Sequence, residues 1–189
     1  LKSLGYDVES ALSARTFNEI RRYLTDWCKK MNARYMAISL PPSFIYPSED
    51  TVSTFMKECV YPTAQEVGIP SAMMVGVTRQ VNPILKDGGD SLGSWDTTNL
   101  ERIARDWPDV TFLMTILSRE DQHELCVTAR KFPNVLPFGC WWFLNNPSII
   151  QEITQERLKL LGTSFIPQHS DARILDQLLY KWTHSIRTI

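Results

Sequence analysis

The feature that most constrains this chain is an alternation of short, continuous apolar runs with longer stretches of helical periodicity. The runs are 34–40 (RYMAISL), 71–77 (SAMMVGV), 110–116 (VTFLMTI), 134–138 (NVLPF) and 163–167 (TSFIP). They are apolar throughout rather than at every second residue, the pattern of strands covered on both faces. Between them, 9–31 carries Leu12, Phe17, Ile20, Leu24, Trp27 and Met31 at helical spacing. Ser48 with Glu49 and Asp50 predicts a helix start, and Ser118 with Asp121 and Ser148 with Gln151 resemble capping boxes. Gly162 is placed to close a helix over 148–161 in a left-handed cap, and a last helix is expected over 174–186. Repeated β-α units predict a parallel α/β architecture in a single domain, 1–189. No GxGxxG or GxxxxGK[ST] occurs, and Gly88-Gly89 within KDGGDS reads as a plain turn. An open doubly wound sheet and a barrel both fit the pattern. A complete (β/α)₈ barrel needs ~250 residues, so a barrel in these 189 residues is a partial one.

Composition narrows the function classes. Twenty Lys and Arg against 21 Asp and Glu leave a net charge of -1, without the basic excess that nucleic-acid binding requires. Cys28, Cys59, Cys126 and Cys140 are widely spaced, with no CxxC, so neither a disulfide framework nor a zinc finger is expected. Reduced thiols, no basic-then-apolar leader at Leu1 and no membrane-length apolar stretch lead to the expectation of a soluble, cytoplasmic protein.

In parallel α/β folds the working groups gather where the strands end. Arg79 follows the second run, before a loop holding Lys86, Asp87 and Asp90; it can clamp a carboxylate bidentately or make a surface salt bridge. Trp141 and Trp142 follow the fourth run in a segment, 134–151, without charge. Neighbours on an extended segment face opposite ways, so one indole is expected in the core, while the other can form a flat wall beside a sugar-like ligand or donate its N–H to an oxygen. After the fifth run come His169, Ser170, Asp171, Ala172 and Arg173. Either Ser170 caps a helix with Asp171 in its first turn, or the chain stays extended and His169, Asp171 and Arg173 project into one cavity. His123 reads as a surface residue and His184 suits the negative end of the last helix. Three histidines without HxH or HExxH make no conventional zinc site on their own.

The stretch from Gly139 to Trp182 resembles the C-terminal part of the uronate (glucuronate) isomerases, members of the amidohydrolase-like group of barrels. The resemblance is carried by Trp141-Trp142-Phe143, the LG turn at Leu161-Gly162 and Asp171-Ala172-Arg173, in that order. Met74 to Asp96 is similar to the family's strand and loop containing an arginine and a glycine/aspartate-rich turn. The resemblance implies a (β/α)₈ TIM barrel of the metal-dependent hydrolase type, present here as a partial barrel of about strands 4–8. It implies interconversion of D-glucuronate with D-fructuronate and of D-galacturonate with D-tagaturonate, through an enediol. Asp171 is then the catalytic residue and a ligand of a divalent metal, with zinc expected and its other ligands outside this chain. Arg173, Trp141, Trp142 and Arg79 are the substrate-binding residues. The expected partner is a small-molecule sugar acid, with no nucleic acid or membrane, and a homo-oligomer is expected. Met74 stands where family members often carry a strand histidine, and the family's early His-x-His is absent. The isolated chain is therefore expected to be inactive or nearly so. Two other readings stay open: a metal-dependent hydrolase of the same superfamily, and a non-catalytic sugar-acid binding module.

Overall fold

The computed structural model describes residues 1–168, Ala172 and 174–189, apart from the side chain of Asp87. Helix α1 (Ala14–Met31) leads to strand β1 (Met36–Leu40); α2 (Thr51–Phe55) and α3 (Tyr61–Val67) follow, then β2 (Ser71–Val75). A two-stranded excursion, β3 (Val77–Thr78) and β4 (Ser91–Leu92), precedes α4 (Thr98–Asp106), β5 (Phe112–Ile116), α5 (Gln122–Lys131) and β6 (Val135–Pro137). The chain closes with α6 (Pro147–Leu161) and α7 (Leu175–Thr188). The four main strands form one parallel sheet in the order β1-β2-β5-β6, as the β-α alternation predicts.

Register explains the core. Met36, Ser71, Phe112 and Val135 stand side by side, followed by Ala37, Ala72, Leu113 and Leu136. Because side chains alternate, Leu40, Met73, Val75, Phe112, Met114, Ile116 and Val135 share the face that packs on Tyr61, Leu100, Ile103 and Leu125. Burying a side chain such as Phe112 or Met114 contributes about 2–3 kcal/mol. The opposite face carries a smaller cluster of Ala72, Leu113 and Phe138, with Met74 and Leu136 partly covered. Central β5 is buried at every position, as a doubly covered strand should be. Strand β1 is not: Ala37 and Ser39 are exposed and Met36 and Ile38 only partly buried. It lies at the sheet edge, where no described residue covers Ala37 and Ser39 on the second face.

Several expected boundaries shift for local reasons. The first helix starts at Ala14 rather than residue 9, because the Ser13 hydroxyl accepts the Thr16 N–H and ends the preceding irregular stretch. Asp50, not Ser48, caps α2 by accepting from the N–H groups of Val52 and Ser53. Asn146, not Ser148, caps α6, with Pro147 in the first turn. Ser118 bonds Glu120 rather than forming a capping box with Asp121. Gly162 does end α6, but at φ 63 and ψ -116 it is outside the left-handed helical region. Helix α7 runs two residues further than expected, to Thr188. Between α2 and α3 the helix widens into a π-turn over Met56–Val60, where the Tyr61 N–H reaches back to the Met56 carbonyl. Pro62 has no N–H and its ring crowds the preceding turn, so the wider turn lets the helix continue through it.

The run 163–167 makes only one bridge, Phe138 with Ile166, through the Ile166 N–H to Pro137 O (2.9 Å) and the Gly139 N–H to Ile166 O (2.8 Å). Among the described residues it forms no full fifth strand. The run 71–77 is divided at Gly76, whose φ of 113 turns the chain from β2 into β3.

Candidate functional site

Parallel strands end on the same edge of the sheet, so the chain leaving β2, β5 and β6 builds one rim. On the β2 side, β3 pairs antiparallel with β4, Val77 opposite Leu92 and Thr78 opposite Ser91. Arg79 leaves this ribbon with Nη1 2.5 Å from Asp90 Oδ2, while the Gln80 N–H donates to Asp90 Oδ1 at 2.9 Å. The Asp90 side chain is 3% exposed and that of Arg79 60%. The carboxylate partner of Arg79 is thus its own chain's Asp90, the salt-bridge alternative expected from the sequence, and the arginine side chain stays largely exposed. The loop between is a 3₁₀ stretch, Pro83–Gly89, broken at Lys86 (φ 49, ψ -124). It closes at Gly89, where a Cβ would fall 1.9 Å from the Asn82 carbonyl oxygen. The KDGG sequence is therefore a tightly bonded turn.

On the β6 side, Trp141 is extended (φ -98, ψ 159) and Trp142 turns into a short 3₁₀ segment at φ 46. The segment is extended only as far as Trp141, so the two indoles do not face opposite ways as expected: they meet edge-on, and Trp142 packs against the same cluster as Trp141. Trp141 is 3% exposed and packs with Val77 and Leu117, tying the β3 ribbon to the ends of β5 and β6. Trp142 is half-buried and stacks on Phe143, with centroids 4.9 Å apart and planes at 21°; its ring lies 6.0 Å from that of Trp141. Among the described residues the buried Trp141 indole N–H has no hydrogen-bond partner. Trp141 is therefore the core member of the pair and Trp142 the accessible one. His169, Asp171 and Arg173 lie outside the described residues, so the choice between a helical turn and an extended segment there stays open.

The sequence reading missed the groups that support this rim. Arg157 on α6 is 1% exposed. Its Nη1 donates to the Gly139 carbonyl (2.9 Å) and its Nη2 to Gln122 Oε1 (3.0 Å). Gln122 in turn donates its amide to the carbonyls of Ile116 (2.8 Å) and Ser118 (2.9 Å). Burial pushes the Arg157 pKa down, and the thiols of Cys140 and Cys126 lie beside it. A signal did exist: Ile150, Ile153, Thr154 and Arg157 fall at i, i+3, i+4 and i+7, so the arginine sits on the buried stripe of its helix. Asp121, 6% exposed, accepts from Ser94 Oγ (2.6 Å) and the Trp95 N–H (2.9 Å), anchoring the loop after β4 to the start of α5.

Among the described residues no three His, Cys, Asp or Glu side chains come together to hold a metal. His123 is exposed and pairs with Glu156 at 2.5 Å, as a surface residue should, and the His184 ring lies 6.2 Å from Tyr180. Among the described residues no helix is long and apolar enough to cross a membrane.

No protein-family model matches the chain, and no curated protein matches it. Solved structures do. The chain is similar to a uronate isomerase from Bacillus halodurans C-125, with a TM-score of 0.93 and 49% identity over 99% of this chain and 44% of that one. Two more distant structures share the fold. For a uronate isomerase from Thermotoga maritima the TM-score is 0.81 and the identity 16%, covering 97% of this chain and 47% of that one. For a glucuronate isomerase from Caulobacter crescentus they are 0.75 and 14%, covering 99% and 46%. The chain thus spans a little under half the length of each. Over nearly its whole length the chain is similar to uronate isomerases, as the tryptophan pair and the Asp-Ala-Arg element lead one to expect.

Proposed function

We propose that the protein carrying this chain is a uronate isomerase, acting on D-glucuronate/D-fructuronate and D-galacturonate/D-tagaturonate. The observation that carries this reading is the 49% identity to a uronate isomerase, sustained over 99% of the chain. The rim supports it: a half-buried indole backed by a buried one, on the same strand-end rim as an arginine whose side chain is largely exposed, suits a ligand with one apolar face and an anionic end. Trp142 walls the sugar ring, Trp141 backs it, and Arg79 and Arg173 bind substrate oxygens. Asp171 takes the proton from C2 and returns it to C1, while the hydroxyl proton shifts from O2 to O1. An aldose thereby becomes a ketose with no change in composition. The described residues make no metal site. A divalent metal, zinc by family resemblance, would use Asp171 and further ligands from outside this chain, and would supply positive charge for the developing oxyanion.

The sheet reads as part of a (β/α)₈ barrel, about strands 4–8. That reading is supported by the edge of β1, which no other strand pairs among the described residues, by the exposed Ala37 and Ser39, and by the exposed apolar stripe Leu175, Leu179, Trp182 and Ile186 on α7. A homo-oligomer is part of the same proposal. The test is Asp171→Asn in the whole protein, assayed for ketouronate formation. Turnover is expected to fall roughly a thousand-fold, about 4 kcal/mol in barrier. Unchanged turnover would overturn the assignment.

A further inference from the structure

We propose that Arg157 is a positioning residue for the sugar-acid rim, acting through Gln122 as a relay. The inference rests on the uronate reading only for the identity of the ligand. A cation this deeply buried normally pairs with a carboxylate, yet among the described residues none lies within ion-pair distance of Arg157. The two hydrogen bonds of its Nη groups go to neutral oxygens, and both run toward the rim. One holds the Gly139 carbonyl, two residues before Trp141. The other holds Gln122, which fixes the carbonyls of Ile116 and Ser118 on either side of Leu117. Leu117 and Trp141 pack on each other and on Val77, two residues before Arg79. A single guanidinium therefore sets the relative position of the segments leaving β5 and β6, and through the Trp141 contact that of the ribbon carrying Arg79. Desolvating an unpaired cation opposes folding, so packing alone gives no reason for an arginine here; its planar fork, which bonds two chain segments at once, does.

The test uses Arg157→Lys and Gln122→Met in the whole protein. Both keep side-chain bulk; the lysine keeps the charge but not the fork, and the methionine removes the relay. For each variant, amide hydrogen exchange across 139–144 should rise about ten-fold or more, with that of 36–40 and 71–75 within roughly two-fold of the parent. KM for glucuronate should rise about ten-fold, with kcat changed less than about three-fold, because the wall that holds the sugar loosens while the proton-transfer group is untouched. A merely structural role predicts the reverse: exchange rising throughout the sheet, or a lower apparent kcat from a smaller folded fraction with KM unchanged. Either result overturns the proposal. If the parent protein does not turn over uronates, the functional reading fails, and the localised or general rise in exchange alone decides the role of Arg157.

Discussion

At the scale of single residues, burial governs the reactive groups. All four cysteines are buried free thiols. Desolvation raises the pKa of each, to about 11 for Cys59 and Cys126. A thiol that cannot ionise and cannot be reached is a poor nucleophile. The native chain at pH 8 should therefore leave a colorimetric disulfide reagent nearly unreacted, and four thiols should titrate once denaturant is added; fast native reaction would contradict the burial. The same shifts fix a direction for stability against pH. A thiol whose pKa is raised in the folded state contributes fully below its unfolded value of 9.0, and that contribution is lost as pH rises toward about 11. The widely spaced cysteines were legible as reduced thiols from sequence. Arg157 was not, because its neighbours Gln155, Glu156 and Lys159 give the stretch the look of a solvated face.

At the scale of elements, the rim depends on where strands stop. Gly76 divides β2 from β3 because its φ of 113 is open to glycine and because a Cβ there would lie 3.1 Å from Gly93 O and 3.3 Å from Leu117 Cβ. Gly76→Ala should cost about 2 kcal/mol through backbone strain and this crowding, read as a lower urea midpoint; an unchanged midpoint would mean the turn does not need a glycine. Apolar runs placed β1, β2, β5 and β6 to within a few residues, since a buried parallel strand announces itself by continuous hydrophobicity. The division at Gly76 and the short β3-β4 ribbon did not announce themselves. A two-residue strand leaves no periodicity, and a glycine inside an apolar run fits a strand as well as a turn. Helix starts erred where several capping residues compete: Ser48 and Asp50, or Asn146 and Ser148, differ by two positions, and only backbone geometry selects one.

At the scale of the molecule, one layer is complete and the other is open. Helices cover the face of the sheet that bears Met73, Phe112 and Met114, whereas among the described residues the second face of β1 is left exposed at Ala37 and Ser39 and no strand pairs with its outer edge. Leu175 and Leu179 on α7 are 81% and 73% exposed. Unpaired parallel edges and apolar stripes of this kind associate. The isolated chain should sediment as a concentration-dependent mixture, and Leu179→Lys should shift it toward monomer; a parent chain that stays monomeric at every concentration would show that these surfaces are not adhesive.

The sequence by itself determined the parallel α/β class, the order of the main strands and helices, and the kinship carried by Trp141-Trp142-Phe143 and Asp171-Ala172-Arg173, because periodicity and short motifs are local properties of a chain. Only the tertiary structure decided that Trp141 is the buried indole and Trp142 the accessible one, that Arg79 is held by Asp90, and that Arg157 and Gln122 bind the strand ends together. Those facts depend on contacts between residues far apart in sequence, and which contacts form is set by the register of the sheet and the packing of α5 and α6 against its end.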